Sequence, residues 1–382
     1  MDQPMIPYAR QSVRDEDVEA VVEVLRSDWL TTGPKVEEFE TAFAGSVDTE
    51  ESVAVSSGTA ALHAAMYAAG IGPRDEVIVP AITFVATANA AVYQGATPVF
   101  ADVQPDTLLV DPDSVQAKIT SRTKAIVAVD YAGQPCDYDS LREIADRHGL
   151  HLIADACHSL GAEYKGKKTG SLADLTVFSF HPVKHITTGE GGMVATADRE
   201  LAAQMRKFRN HGISTNHHER SRKETWYYEM EDLGYNYRIT DFQCALGLSQ
   251  LRKLPAQIQT RRAIAKRYDE AFSSCAQIKA LAVSPDVSHA YHLYVIRLEP
   301  RHSRDRLFLH LRQRGIGANV HYLPVHLHPY YRRRFGCGKG QCPAAERAYE
   351  DILSLPMFPS MTDGQIDQVI DAVYEEVKKY AA

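Results

Sequence analysis

The chain reads as an α/β protein: a mainly parallel sheet covered on both faces by helices, followed by a smaller α+β domain. Three observations predict this. Short runs in the first half are apolar at every position, as in Ala125 to Val129, or at all but one, as in Leu150 to Ala154 with its single His151. They alternate with stretches of helical period. After about Asp198 the alternation stops and the texture changes. Strands buried on both faces and joined by amphipathic helices belong to parallel sheets.

Taken in order, Ser52 to Ser56 is a short β-rich run, and a helical pattern follows from Gly58 to about Ala69, closed by Gly70. Glu76 to Pro80 reads as strand, Thr83 to Tyr93 as helix, and Thr97 to Ala101 as strand. Ala125 to Val129 is a buried strand, Asp139 to His148 a helix closed by Gly149, and Leu150 to Ala154 another strand. Leu175 to Phe180 and Gly192 to Thr196 are two further apolar runs. Glu200 to Phe208 is helical, and the polar stretch His211 to Met230, with its Trp226-Tyr227-Tyr228 cluster, reads as a long loop. Loops of that length usually serve function or a partner. Thr240-Asp241 can cap a long helix from Phe242 to about Phe272, with a break expected near Pro255. The last third carries a strand (His292 to Leu298), a helix (Ser303 to Arg314) and a terminal helix (Asp363 to Tyr380). The expected division is a large domain over residues 1–250 and a small one over 251–382, with the N-terminal segment a candidate for packing on the small domain.

Composition narrows the function classes. At roughly 150 residues per domain, 382 residues suggest two or three domains. A hydrophobic fraction of 45% supplies a large core without disulfide staples. A net charge of −7 leaves no broad basic footprint for nucleic acid. The six cysteines form no C-x-x-C, which fits a reduced, cytoplasmic setting. The opening MDQPMIPYAR lacks a secretory pattern, and no apolar run approaches the ~20 residues that span a bilayer. The expectation is a cytoplasmic enzyme with no nucleic-acid or membrane partner.

In open α/β sheets ligands bind at the carboxyl ends of the strands. That rule selects Ser56 to Thr59, Asp130-Tyr131, Asp155 to His158 and Ser179 to Lys184. Lys184 lies in a constrained loop between two apolar runs, where a lysine can condense with a carbonyl compound. A loop lysine is ordinarily a solvated one, as Lys165, Lys167 and Lys168 illustrate. Asp155, at a strand end, changes that weighting. Pyridoxal phosphate needs a lysine for its aldehyde and a carboxylate for its pyridinium nitrogen. Asp155 alone could equally be a turn or cap residue. Ser57-Gly58-Thr59 opens a helix directly after a strand, which suits a phosphate, and Ser179 could add a hydroxyl; a plain N-cap serine is the simpler alternative. Neither a P-loop nor a G-x-G-x-x-G follows the first strand. His326-x-His328 with Cys337 and Cys342 spaces loosely for zinc, and Arg332 to Arg334 would repel a cation, so the segment reads as a substrate-proximal loop. No metal is expected.

The succession SSGTAALHAA, TFVATANA, DACHSLGA, SFHPVKHITTGEGG and GYNYRITDFQCALGLSQL resembles the DegT/StrS-type sugar aminotransferases, fold-type I pyridoxal-phosphate enzymes that aminate nucleotide-linked keto-sugars. The resemblance runs from about Pro7 to the C-terminal helix. It implies a seven-stranded-type, mainly parallel sheet in the large domain. Within the family, LTTGPKVEEFE, VDYAGQP, HPVKHITTGEGG and VHYLPVHLHPYYRRRFG are most similar to the UDP-sugar 4-aminotransferases of pseudaminic acid biosynthesis, and spore-coat polysaccharide aminotransferases share much of this pattern.

Carried over by position, the resemblance implies pyridoxal 5'-phosphate as cofactor, Lys184 as the lysine that binds it and moves the proton, and Asp155 as partner of its ring nitrogen. Phe84 would stack on the ring. Ser57, Gly58, Thr59 and Ser179 would hold the phosphate. His158 stands where many members have a glutamine contacting the ring hydroxyl. Asn236 would reach the phosphate of a neighbouring subunit, making a homodimer with shared sites. Arg238, His321 and Tyr322 are candidates for substrate binding; a salt bridge for Arg238 and simple packing for the other two are the alternatives. The substrates implied are L-glutamate and a UDP-linked 4-keto-6-deoxy-N-acetylhexosamine. Some members carry histidine in place of the lysine and act as dehydratases; Lys184 favours transamination. Amination at C3 or C4 of another nucleotide-linked keto-sugar stays open, as does a non-catalytic regulatory protein.

Overall fold

The computed structural model describes residues 5–213, 224–299 and 303–379. Two helices precede the first strand, α1 (Asp15–Leu25) and α2 (Pro34–Ser46). The alternation of apolar strands does not announce them. The large domain then follows the expected order: β1 (Glu51–Val55), α3 (Gly58–Ala68), β2 (Glu76–Pro80), α4 (Val85–Tyr93), β3 (Thr97–Ala101), α5 (Pro112–Lys118), β4 (Thr123–Val129), α6 (Tyr138–His148) and β5 (His151–Asp155). A small ribbon of β6 (Glu163–Tyr164) and β7 (Lys167–Lys168) leads to β8 (Leu175–Ser179), β9 (Gly192–Thr196) and α7 (Arg199–Phe208).

The seven-stranded sheet has the order β1-β9-β8-β5-β4-β2-β3. The pairings from β8 to β3 are parallel, while β9 is antiparallel to both β1 and β8. All strands except β9 therefore end on one edge. Val77, Ile78, Ile126, Val127, Leu152 and Ile153 are completely buried. Burial of each such side chain is worth roughly 1.5–3 kcal/mol, so the sheet is a rigid floor. Helix boundaries follow local chemistry. Asp137 caps α6 by accepting from Ser140 N–H, and Gly149 ends it in the left-handed region, with φ 62°.

The small domain is built on an antiparallel sheet of Ile278–Ala280, Tyr294–Leu298 and Ile352–Leu355. Leu307 and Leu311 of one helix and Val369 and Val373 of the terminal helix cover it. Ile6 joins this core, and its N–H donates to Gly315 O at 2.8 Å. The helix expected to break near Pro255 does not. It runs as one element over Asp241–Phe272, about 48 Å long at 1.5 Å per residue. Proline forfeits one hydrogen bond and strains the turn before it, at about 3 kcal/mol. Leu254, Ile258, Ile264 and Ala265 are buried around it and outweigh that cost. Its first half packs on the large domain, and Tyr268 and Phe272 lie in the small-domain core, so residue 250 falls inside a continuous helix. Residues 214–223 of the long loop, with His217 and His218, lie outside the described residues. Among the described residues no helix is long and apolar enough to cross a membrane.

Candidate active site

The selected residues converge on the edge where β1, β2, β4, β5 and β8 end. Lys184 sits in the loop that joins β8 to β9. That loop is folded on itself: Phe180 N–H donates to Gly191 O at 2.9 Å, Thr188 N–H to Phe180 O at 3.1 Å and Lys184 N–H to His181 O at 2.9 Å. Phe180 and Ile186 anchor it in a core with Phe39 and Phe43. Burial pushes the Lys184 amine below the usual lysine range, while Asp155 and the Cys157 thiol partly offset this. A lowered amine pKa raises the fraction of free base, the form that attacks a carbonyl and accepts a proton.

Asp155 ends β5 and is 6% exposed. Its Oδ2 accepts from Thr87 Oγ1 at 2.7 Å, and its Oδ1 from Cys157 N–H at 3.3 Å. Phe84 precedes α4 and is 57% exposed, with its ring 6.1 Å from that of Tyr322. A large ring held out of the core at a strand end is a surface waiting for a flat partner.

Ser57 caps α3, its Oγ accepting from Ala60 N–H at 3.1 Å. The helix start leaves the amides of Gly58 and Thr59 without intrahelical partners. A Cβ at Gly58 would lie 2.8 Å from Ser179 Cβ and 3.1 Å from its Oγ, so only glycine lets this turn close on Ser179. The two hydroxyls and the free amides form a cradle of phosphate character.

His158 is 6% exposed, and its Nε2 is 3.2 Å from the Tyr322 hydroxyl. Its Nδ1 is buried without a partner among the described residues. Burial, with the positive charge of Lys184, holds the imidazole well below its usual pKa, so it is neutral. His292 stands behind it, ring centroids 4.3 Å apart. Both nitrogens of His321 are engaged within the small domain, by Ser354 Oγ at 2.8 Å and Asn319 Nδ2 at 3.3 Å. Tyr322 is thus brought beside Phe84 and His158, while His321 is turned into the framework. Asn236 is exposed and forms a β-bridge with Asn210; Arg238 Nη1 donates to Asn210 Oδ1 at 2.9 Å. Between them Tyr237 O accepts Ser56 N–H at 2.8 Å, so this segment runs beside the end of β1. His326 is not in a donor cluster: it is buried against Glu346, Nε2 to Oε1 2.9 Å.

Two participants escape sequence reasoning, Thr87 and His292; Asp130 is selected by its place after a strand, but without a role. Of the two, Thr87 alone carried a signal, lying one helical turn beyond Phe84 in TFVATANA.

The fit to pyridoxal 5'-phosphate is specific. A lysine of lowered pKa, a buried carboxylate, an exposed ring, a phosphate cradle and an unpartnered imidazole nitrogen occupy one edge of a fold-type I sheet. This defines a pyridoxal-phosphate-dependent enzyme. Residues 11–374 match the DegT/DnrJ/EryC1/StrS aminotransferase family, and the chain belongs to it: a pyridoxal-phosphate-dependent sugar aminotransferase. It is 43% identical to the spore coat polysaccharide biosynthesis protein SpsC of Bacillus subtilis, over 98% of this chain and 97% of that one. The structure is similar to the putative sugar aminotransferase Spr1654 of Streptococcus pneumoniae in its PMP form (TM-score 0.93, 33% identity, covering 98% of this chain and 100% of that one). It is also similar to Helicobacter pylori PseC, an aminotransferase involved in the biosynthesis of pseudoaminic acid (TM-score 0.92, 34% identity, covering 98% and 100%).

Proposed function

We propose that the enzyme moves an amino group from L-glutamate to the C4 keto group of a UDP-linked 4-keto-6-deoxy-N-acetylhexosamine. The product serves pseudaminic acid or a related surface-polysaccharide sugar, made in the cytoplasm. The observation that carries transamination is the Lys184 amine, held below its ordinary pKa beside Asp155. Similarity to PseC and SpsC supports the sugar class.

When bound, the cofactor supplies an electron sink and a carrier for the amino group. Asp155 keeps a proton at its ring nitrogen. Gly58, Thr59, Ser57 and Ser179 hold its phosphate, and Phe84 and His158 orient its ring. Lys184 takes the proton from Cα of the donor and, in the second half-reaction, gives one to C4 of the sugar. Arg238 and Tyr322 line the approach of the substrate. Trp226, Met230 and Leu233 are 85%, 65% and 69% exposed, and Phe84 and Tyr93 are also exposed. Apolar surface of this kind supports a homodimer in which Asn236 reaches the partner's phosphate site.

The test is a panel of UDP- and dTDP-linked 4-keto and 3-keto sugars with L-glutamate, with NMR of the products. An amino group at C4 of the UDP-linked sugar supports the proposal. An amino group at C3, or loss of a hydroxyl without amination, overturns it in favour of another regiochemistry or a dehydratase. Lys184→Ala should lose both turnover and the visible absorbance of the lysine-bound cofactor.

A further inference from the structure

A second carboxylate is buried at the same edge, one strand over from Asp155. Asp130 follows β4 directly, is completely buried, and donates its N–H to Asp155 O at 3.1 Å. Its Oδ1 accepts from Cys136 N–H at 3.0 Å and the Tyr138 hydroxyl at 2.9 Å. Its Oδ2 accepts from the Ser159 hydroxyl at 2.6 Å. Ser159 closes the turn that begins at Asp155 and carries His158, and its N–H donates to Ala156 O at 3.0 Å.

We propose that Asp130 is a positioning residue, which fixes the 155–159 turn through Ser159 and so sets where Asp155 and His158 meet the cofactor. Burying a carboxylate without an ion-pair partner is costly. Three donors converge here, and a carboxylate, which only accepts, satisfies them all. Burial raises the Asp130 pKa to about 7, Ser159, Cys136 and Tyr138 pull it down, and the charge of Asp155 pushes it up. An acid kept at that cost beside the cofactor's own acid serves geometry that apolar packing does not supply.

A second route reaches His158. Through Cys136 and Tyr138 the Asp130 carboxylate closes the 130–138 loop, whose Gly133 has φ 105°. A Cβ there would lie 2.8 Å from both His158 O and Tyr291 N. Gly133 O accepts Ala290 N–H at 2.9 Å, and Ala132 O accepts Leu293 N–H at 3.1 Å. These bonds hold the 290–293 segment so that His292 packs on the His158 ring. Asp130 therefore braces the turn from within the large domain and from the segment that leads into the small one.

The proposal rests on the assignment of Asp155 and His158 to the cofactor. The experiment compares wild-type holoenzyme with Ser159→Ala, Asp130→Asn and Tyr138→Phe. The readouts are the pH midpoint of the visible cofactor band, kcat and KM, and thermal unfolding. Ser159→Ala cuts the link and should displace the midpoint and lower kcat roughly ten- to a hundredfold, the scale of a small misplacement in an active site, with little change in KM. Asp130→Asn keeps a link, because its amide can donate to Ser159 Oγ, and should recover most of kcat. Tyr138→Phe weakens only the second route, which reaches His158 indirectly through the 290–293 segment, and should lower thermal stability while displacing the midpoint much less than Ser159→Ala does. Ser159→Ala with wild-type midpoint and kcat overturns the proposal, even if its stability falls. If wild type itself shows no visible band, or Asp155→Asn leaves the band and its midpoint unaltered, the underlying assignment fails instead.

Discussion

The hydroxyl of Thr87 donates to Oδ2 of Asp155 at 2.7 Å, tying the first turn of α4 to the end of β5. Phe84, just before that helix, and Asp155 are thereby fixed relative to each other. The Thr87 hydroxyl also meets Thr83 Oγ1 at 2.8 Å, so Thr83 orients it.

Thr87→Val keeps the volume at this fully buried position and removes the donor. A buried carboxylate oxygen losing its partner costs about 1–2 kcal/mol, so cofactor affinity should fall roughly five- to thirtyfold. Titration of the apoenzyme with pyridoxal 5'-phosphate measures this. Unchanged affinity would mean that Asp155 is oriented by its backbone alone.

Gly58→Ala separates the site from the helix that carries it. Alanine is the better helix former by about 1 kcal/mol, so α3 by itself should gain. The added Cβ would meet Ser179 Cβ at 2.8 Å, and the turn must open. Affinity for pyridoxal 5'-phosphate should drop about tenfold or more, while affinity for pyridoxal, which has no phosphate, should hardly change. Equal losses for both ligands would remove Gly58 from the phosphate site.

The strands were legible because their neighbours impose a simple pattern. Thr97 to Ala101 and Gly192 to Thr196 are apolar runs in sequence and strands of the same bounds in structure. The family was legible because Lys184 and Asp155 stand in motifs with an ordered succession. The continuous helix through Pro255 was not: local chemistry argues for a break, and the burial that overrides it comes from residues distant in sequence. Thr87 and His292 were hidden for the same reason, and Asp130, though picked out by its place after a strand, showed no sign of its role. A threonine, a histidine or an aspartate acquires a role only when another strand or domain supplies its partner, as Asp155, His158 and Ser159 do.

His63 predicts how stability depends on pH. It is 3% exposed, with Nδ1 3.1 Å from the Tyr237 hydroxyl, and its ring packs against Phe208 and Tyr235. Burial lowers its pKa to about 4. Between that value and about 6.5 the unfolded chain binds a proton that the folded chain refuses. Stability from this group is therefore complete above about pH 6.5 and is lost progressively as pH falls toward 4, by up to about 3 kcal/mol. His63→Phe should flatten that part of the curve, read from urea midpoints at pH 5 and pH 7. The same slope in both proteins would rule His63 out as its source.

Arg261 makes the last prediction. Its side chain is 1% exposed, and Nη1 donates to Tyr291 O at 3.2 Å, His292 O at 3.4 Å and Met357 O at 3.1 Å. Burial lowers its pKa to about 10, so it stays charged at neutral pH. Three carbonyls from two segments converge on one guanidinium of the long helix, and two of them flank the backbone that carries His292. Arg261→Leu leaves those carbonyls buried without a donor, at a cost of about 3 kcal/mol or more, and frees the segment behind His158. Arg261→Lys should restore part of the loss, because all three bonds come from one nitrogen and an ammonium carries three hydrogens, though on a shorter side chain. Thermal unfolding gives the stability, and the holoenzyme's visible spectrum reports on His158. A large stability loss with an unchanged spectrum would assign Arg261 to the domain framework alone; loss of both would make it the brace between the long helix and the cofactor site.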